Sequence, residues 1–211
     1  MKRILMLVAA VGLVGLGAPG RAHAAGEEQV NRFFVAPGLG FLAPMSGDFA
    51  SDFRASFQFH VDGGFMFGAG PRGFVVAPTG TFKYVALSDD LDFPGLETHA
   101  LELQVLGGVK LGWAGKGLFI YGQADFGFND LQLRFCSTVF GGCQHASETD
   151  PMVRFGGGAD FSVLSFLAVG GMLAYQVVFS NDGNDDGYTY DAGGFELVGY
   201  AKFVLPDKPV R

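Results

Sequence analysis

From Phe53 to Phe67 every second residue is apolar or glycine: Phe53, Ala55, Phe57, Phe59, Val61, Gly63, Phe65 and Phe67. Between them stand Arg54, Ser56, Gln58, His60, Asp62, Gly64 and Met66. A period of two puts these sets on opposite faces of a β-strand. The run exceeds the about 5–6 residues usual in a soluble sheet and suits the about 9–11 tilted residues that cross a bilayer. The alternation recurs in seven further stretches: about 31–42, 74–87, 99–113, from 118 onward, 152–163, 166–179 and 194–205. Pro37, in the first, fits only an irregular or early edge position.

The fourth stretch sets Leu101, Leu103, Val105, Gly107, Val109, Leu111 and Trp113 against Glu102, Gln104, Leu106 and Lys110. The fifth sets Leu118, Ile120, Gly122, Ala124, Phe126 and Phe128 against Phe119, Tyr121, Gln123 and Asp125. Beyond Asn129 and Asp130 its apolar positions move to Leu131, Leu133 and Phe135, which predicts a β-bulge there. The connections alternate in length: 43–52, 88–98, 136–150 and 181–192 are long, whereas 69–73, 114–117 and the turn near Leu164 are short. Short turns at one end and long loops at the other are the layout of a membrane β-barrel.

Alternation leaves open which face meets solvent, since a soluble ligand-binding barrel is apolar inside. The polar face here is rich in Gly, Ser and Gln, with a charge or two per strand, too few for a soluble exterior. Its charges also balance. Arg54, Lys83, Lys110, Arg154 and Lys202 stand against Asp62, Glu102, Asp125, Asp160 and Glu196. Buried charges must pair, so the polar face is assigned to the lumen, and loss of Glu102 or Arg154 is expected to strand a charge. An eight-stranded interior is only wide enough to be filled by side chains.

Composition agrees with dispersed apolar surface. Charged residues are 17%, below the usual ~25%, with 34 Gly and 23 Phe among 211 residues. After residue 20 no run of about 18 apolar residues marks a membrane helix. Residues 1–24 differ: Lys2 and Arg3 precede an apolar core from Ile4 to Leu16, and Ala22, His23 and Ala24 form a small-x-small cleavage site. The reading is an all-β chain, an eight-stranded antiparallel transmembrane β-barrel at 25–211 preceded by a cleavable signal peptide at 1–24. With Lys2, Arg3 and Arg21 gone, the 14 bases fall to 11 against an unchanged 21 acids, a net charge of −10 that argues against a nucleic-acid partner.

With these strands, connections and faces the chain resembles the small eight-stranded outer-membrane barrels of the OmpA type, over about 31–205. Members of that group often end on an aromatic residue. Here Tyr200 and Phe203 lie in the last strand, and the chain continues through Val204 and Leu205 to Arg211. The resemblance implies a monomer in the outer membrane of a Gram-negative bacterium, in contact with outer-membrane lipids including lipopolysaccharide. The expected role is structural or surface-interacting, with neither catalysis nor a cofactor. Two alternatives are a conduit for small or hydrophobic molecules and a lipid A-modifying enzyme. Some eight-stranded barrels of the latter kind carry a His and a Ser near the outer rim, and His99 with a loop Ser is the corresponding place here.

Three further features bear on chemistry. The four long connections hold Asp48, Asp52, Asp89, Asp90, Asp92, Glu97, Glu148, Asp150, Asp182, Asp185, Asp186 and Asp191, and no Lys or Arg. Such a rim keeps loops solvated, or binds divalent cations beside lipid phosphates. Asp182, Asn184, Asp186 and Gly187 match the start of a calcium loop, but its twelfth position is Gly193, and a plain hairpin turn explains the run equally well. No metal or catalytic site is assigned. Cys136 and Cys143, the two cysteines, are expected to form a disulfide in an exported chain.

Overall fold

The structure, a computed structural model, describes residues 32–46, 54–68, 73–87, 96–115, 117–137, 142–180 and 189–205. The signal segment, the calcium-like run at 182–187 and eight of the twelve rim acids lie outside them.

Eight strands follow one another as β1 (Arg32–Ser46), β2 (Ser56–Gly68), β3 (Phe74–Leu87), β4 (Leu96–Gly115), β5 (Leu118–Ser137), β6 (Gly142–Leu164), β7 (Leu167–Ser180) and β8 (Thr189–Val204). Each pairs antiparallel with the next, and β8 returns to β1, closing the barrel. Closure removes the free sheet edges that a lipid environment would leave unsatisfied. The short-turn end uses glycine where the backbone demands it. Gly73 and Gly117 have φ of 72° and 80°, a region that favours residues without a Cβ. Their carbonyls accept from the Ala114 and Ser162 amides at 2.7 and 2.8 Å.

Prolines fall where a ladder lapses. The β1 to β8 pairing skips from Val35 to Gly38 around Pro37, and the β2 to β3 pairing skips from Val76 to Thr79 around Pro78. Pro151 precedes the first β6 to β7 pair at Met152. None of the three has to donate an amide hydrogen across those gaps.

The predicted bulge in β5 is absent. Pairing with β4 and β6 runs without a shift from Leu118 to Ser137. Odd residues point inward throughout; what changes is the surroundings. Up to Phe128 the outward positions are apolar, and beyond it they become Asp130, Gln132 and Arg134. Inward, Leu131 and Leu133 take over from Asp125 and Asn129 and pack beneath the mouth of the barrel. The inversion marks the point where the strand leaves an apolar exterior for water.

The long connection expected at 136–150 is also mostly strand. β5 and β6 continue as a ladder to Ser137 and Gly142, and β4 begins at Leu96. Among the described residues these three strands outrun their neighbours: the last β3 to β4 pair is Leu87 opposite Ala100, and the last β7 to β6 pair is Val178 opposite Met152.

The exterior is apolar. Phe33, Leu39, Phe41, Phe57, Phe82, Trp113, Ile120, Phe126, Phe155, Leu173 and Leu197 are exposed. On β4 the outward run from Leu103 to Trp113 spans about 25 Å of height at about 3.3 Å per residue and about 40° of tilt. Aromatic residues mark both margins. Cross-strand pairs Phe41 with Phe57 and Tyr175 with Phe195 (ring centroids 6.0 and 4.9 Å apart) lie toward the long-loop end. Phe33, Phe74, Trp113, Phe161 and Phe203 lie toward the short-turn end.

Candidate functional site

The inward face builds a polar centre between two apolar layers. At the short-turn end Phe34, Ala36, Val75, Ala77, Phe119, Tyr121, Met172, Ala174, Val198 and Tyr200 form one buried cluster. Under the long-loop end Leu42, Val85, Leu87 and Ala100 form another, covered by Leu131 and Leu133. Glycines make room for the large rings. A Cβ at Gly158 would lie 2.6 Å from the Tyr121 hydroxyl, and one at Gly170 would lie 2.7 Å from the Tyr200 ring.

Between the layers, four bases each meet an acid. Lys83 Nζ is 2.7 Å from Glu196, Lys110 Nζ 2.7 Å from Asp62, Arg154 Nε 2.8 Å from Asp125, and Lys202 Nζ 2.8 Å from Asp160. Arg154 also donates to the Thr81 hydroxyl at 3.0 Å and lies 3.7 Å from Glu196 and 3.9 Å from Asp62. Gln104 donates to Glu102 and Gln176, and Lys83 donates to Gln176, so strands β3, β4, β7 and β8 share one network. Nearer the short turns, Tyr200 donates to Asp160 and shares a 2.6 Å hydrogen bond with Tyr121. The Lys110 ammonium sits 4.8 Å from the Tyr121 ring centre, and that of Lys202 4.5 Å from the Phe34 ring centre.

The five-against-five balance needs correction at two positions. Arg54 lies just before β2 and is exposed, because the strand begins at Ser56, beyond the rim of the packed interior. Asp150, counted with the loop acids, is instead buried on the inner face of β6. Among the buried side chains described, four lysines and arginines therefore face six acids. Glu102, 1% exposed, has no cation within 4.0 Å among the side chains described; Gln104 donates to its Oε1 at 2.6 Å, and its Oε2 has no protein partner. Both nitrogens of His60 and Nη1 of Arg154 likewise lack a protein hydrogen-bond partner. Buried polar atoms of this kind are ordinarily satisfied by ordered water.

His99 is exposed on the outward face of β4 and pairs in register with Arg134 of β5, which in turn pairs with His145 of β6. Among the described residues no serine or acid hydrogen-bonds to it, and the nucleophile–base contact that hydrolytic chemistry needs is not formed there. Ser147 is on β6, two strands away, opposite Gln132. Cys136 and Cys143 face each other across the β5 to β6 ladder and are disulfide-bonded. Among the described residues no group of three His, Cys, Asp or Glu side chains could hold a metal ion.

The inward four-base network was legible from the strand alternation. The apolar lid was not assigned, although Leu87, Leu131 and Leu133 carry its signal as apolar residues at inward parity near strand ends.

This closed ring of eight antiparallel strands, apolar outside and polar within, has the fold of the small outer-membrane β-barrels. Three solved structures share it. A major outer membrane protein from Thermus thermophilus has a TM-score of 0.62 at 14% identity, over 83% of this chain and 100% of that one. Neisserial surface protein A has 0.54 at 11% identity, over 81% and 96%. The attachment invasion locus protein Ail of Yersinia pestis has 0.53 at 11%, over 83% and 99%. No family model matches the chain, and no curated protein sequence does.

Proposed function

We propose that the protein is an integral barrel of a Gram-negative outer membrane with a structural or surface-interacting role and no catalysis. One observation carries this reading: the molecule is inverted relative to a soluble domain. Arg154, Lys83, Glu102 and Glu196 are fully or almost fully buried, while Phe, Leu and Trp side chains cover the outside at 38–61% exposure. That much contiguous apolar surface is untenable in water and matches the apolar band of a membrane barrel. Burying the charges is tolerable because the lumen pairs most of them. The apolar layers above and below the network favour a sealed core over a conduit, and a His99 that no serine or acid hydrogen-bonds among the described residues favours a non-catalytic rim over a lipid-modifying one. The barrel acts as a single closed unit, so a monomer suffices. The acidic connections are left to meet divalent cations and lipopolysaccharide at the surface.

Trp113, the single tryptophan, tests the membrane placement. It is 51% exposed on the outward face of β4, toward the short turns. The mature chain refolded into vesicles whose acyl chains carry bromine should show strongly quenched Trp113 emission compared with unbrominated vesicles. Equal emission in the two, with the folded protein left in the aqueous fraction, would contradict the reading.

A further inference from the structure

Where β4, β5 and β6 rise past the end of β3, an open groove of about 750 Å³ is lined mainly by outward residues of β3 to β6 and reaches Leu87, Ala100 and Leu133 of the inner lid. Its upper row is polar, from His99, Arg134 and His145; the next row down carries Leu101, Gln132 and Ser147, and Tyr84 and Asp130 line it lower still. The register fixes the geometry of the upper row. His99, Arg134 and His145 stand opposite one another on three adjacent strands. With strands about 4.8 Å apart, the three residues form one cross-strand row, and the guanidinium leans from it toward Cys143 of the row above.

Arg134 is exposed and underused. Among the side chains described its guanidinium contacts only the Cys143 sulfur, at 3.7 Å, and no carboxylate lies within 4.0 Å. The nearby acid, Asp130, is already engaged by Gln132 at 2.8 Å and Thr149 at 3.1 Å. A planar fork of donors in one row with two imidazoles suits the oxygens of an anion, a phosphate or a carboxylate, and the apolar belt directly below favours the phosphate of a lipid over a soluble carboxylate. It would repel a metal cation. The rows below this wall on β3 and β4 carry Tyr84 with Leu103 and then Phe82 with Val105, so the groove opens directly onto the apolar belt.

We propose that this groove holds the phosphorylated head of an outer-leaflet glycolipid, with its phosphate on Arg134 between His99 and His145 and its acyl chains lying down the belt past Tyr84 and Leu103. Gln132 and Ser147, one row lower, offer hydrogen bonds to sugar hydroxyls. The proposal rests on the outer-membrane reading. It fixes the class of lipid and the side of the barrel that holds it.

The full mature chain, disulfide intact, is reconstituted in phosphatidylcholine nanodiscs containing equal amounts of bisphosphorylated and dephosphorylated lipid A, and retained lipid is read by native mass spectrometry. Wild type should retain the phosphorylated form at least fivefold over the other. Arg134→Gln combined with His99→Gln should abolish the preference, and Arg134→Lys should keep part of it, having charge without the fork. Both variants are at exposed outward positions and should keep the compact, heat-modifiable gel mobility of the folded barrel. Equal retention of the two lipids by wild type, or an undiminished preference in the double variant, overturns the site while leaving the barrel in its membrane. Failure of the wild type to enter nanodiscs at all overturns the membrane reading and this proposal with it.

Discussion

Arg154 reaches acids from three strands, Asp125 of β5, Glu196 of β8 and Asp62 of β2, and it is wholly buried. Arg154→Met would keep most of the volume and leave those carboxylates short of a cation. Removing one partner of a buried ionic network costs about 3–5 kcal/mol, and that loss is expected in urea unfolding of the lipid-folded barrel followed by Trp113 fluorescence. An unchanged midpoint would show that water, not Arg154, satisfies the acids. Glu102 gives the contrasting case. It has no cation within 4.0 Å among the side chains described, and Gln can accept the Gln104 hydrogen bond in its place. Glu102→Gln is therefore expected to change stability by less than about 1 kcal/mol, or to raise it, since it removes a buried acid without stranding a base. A loss as large as that of Arg154→Met would mean that Glu102 pairs with Lys83 in solution. Counting charges along the sequence treated these two residues alike; only the geometry separates them.

β5 shows how far alternation can be read and where it misleads. The period of two located β3 at its observed limits, 74–87, and gave the correct inward and outward sets for β4. It failed above Asn129 because a hydrophobic pattern reports the contrast between two environments, and both change there. Outward, lipid gives way to water; inward, the charged network gives way to the Leu131 and Leu133 lid. The strand itself does not shift. Arg54 misled for a related reason, since parity says nothing about where a strand starts. Single cysteines in a Cys136→Ser, Cys143→Ser background check the boundary. Gln132→Cys should react readily with a membrane-impermeant maleimide in intact proteoliposomes, whereas Phe126→Cys should not. Equal labelling would place the bilayer margin elsewhere. The disulfide belongs to the same projecting ladder. Closing a loop of about eight residues is worth on the order of 2.5 kcal/mol in the chain-entropy model, and the ladder above Phe128 is held apart from the lipid-embedded barrel. Reduction should therefore speed amide exchange over 130–149 and leave 118–128 protected. Uniform acceleration along β5 would show that the bond supports the entire barrel.

The closed sheet, the apolar belt and the charged interior form one arrangement, because each requires the others. Eight strands leave a lumen of side-chain width, charges placed in it have to neutralise one another, and the apolar residues displaced from the inside need lipid. Two buried apolar clusters cap the network toward either end. On the function proposed above, the barrel is a plugged membrane anchor whose exchange with its surroundings takes place on its outer surface. Conductance decides this. Purified, heat-modifiable monomer, disulfide intact, is added to a planar lipid bilayer in molar salt. The sealed lumen predicts a baseline without stable channels at protein levels where a control porin conducts. Long-lived, ohmic openings of uniform size from the folded monomer would contradict it and make the barrel a conduit.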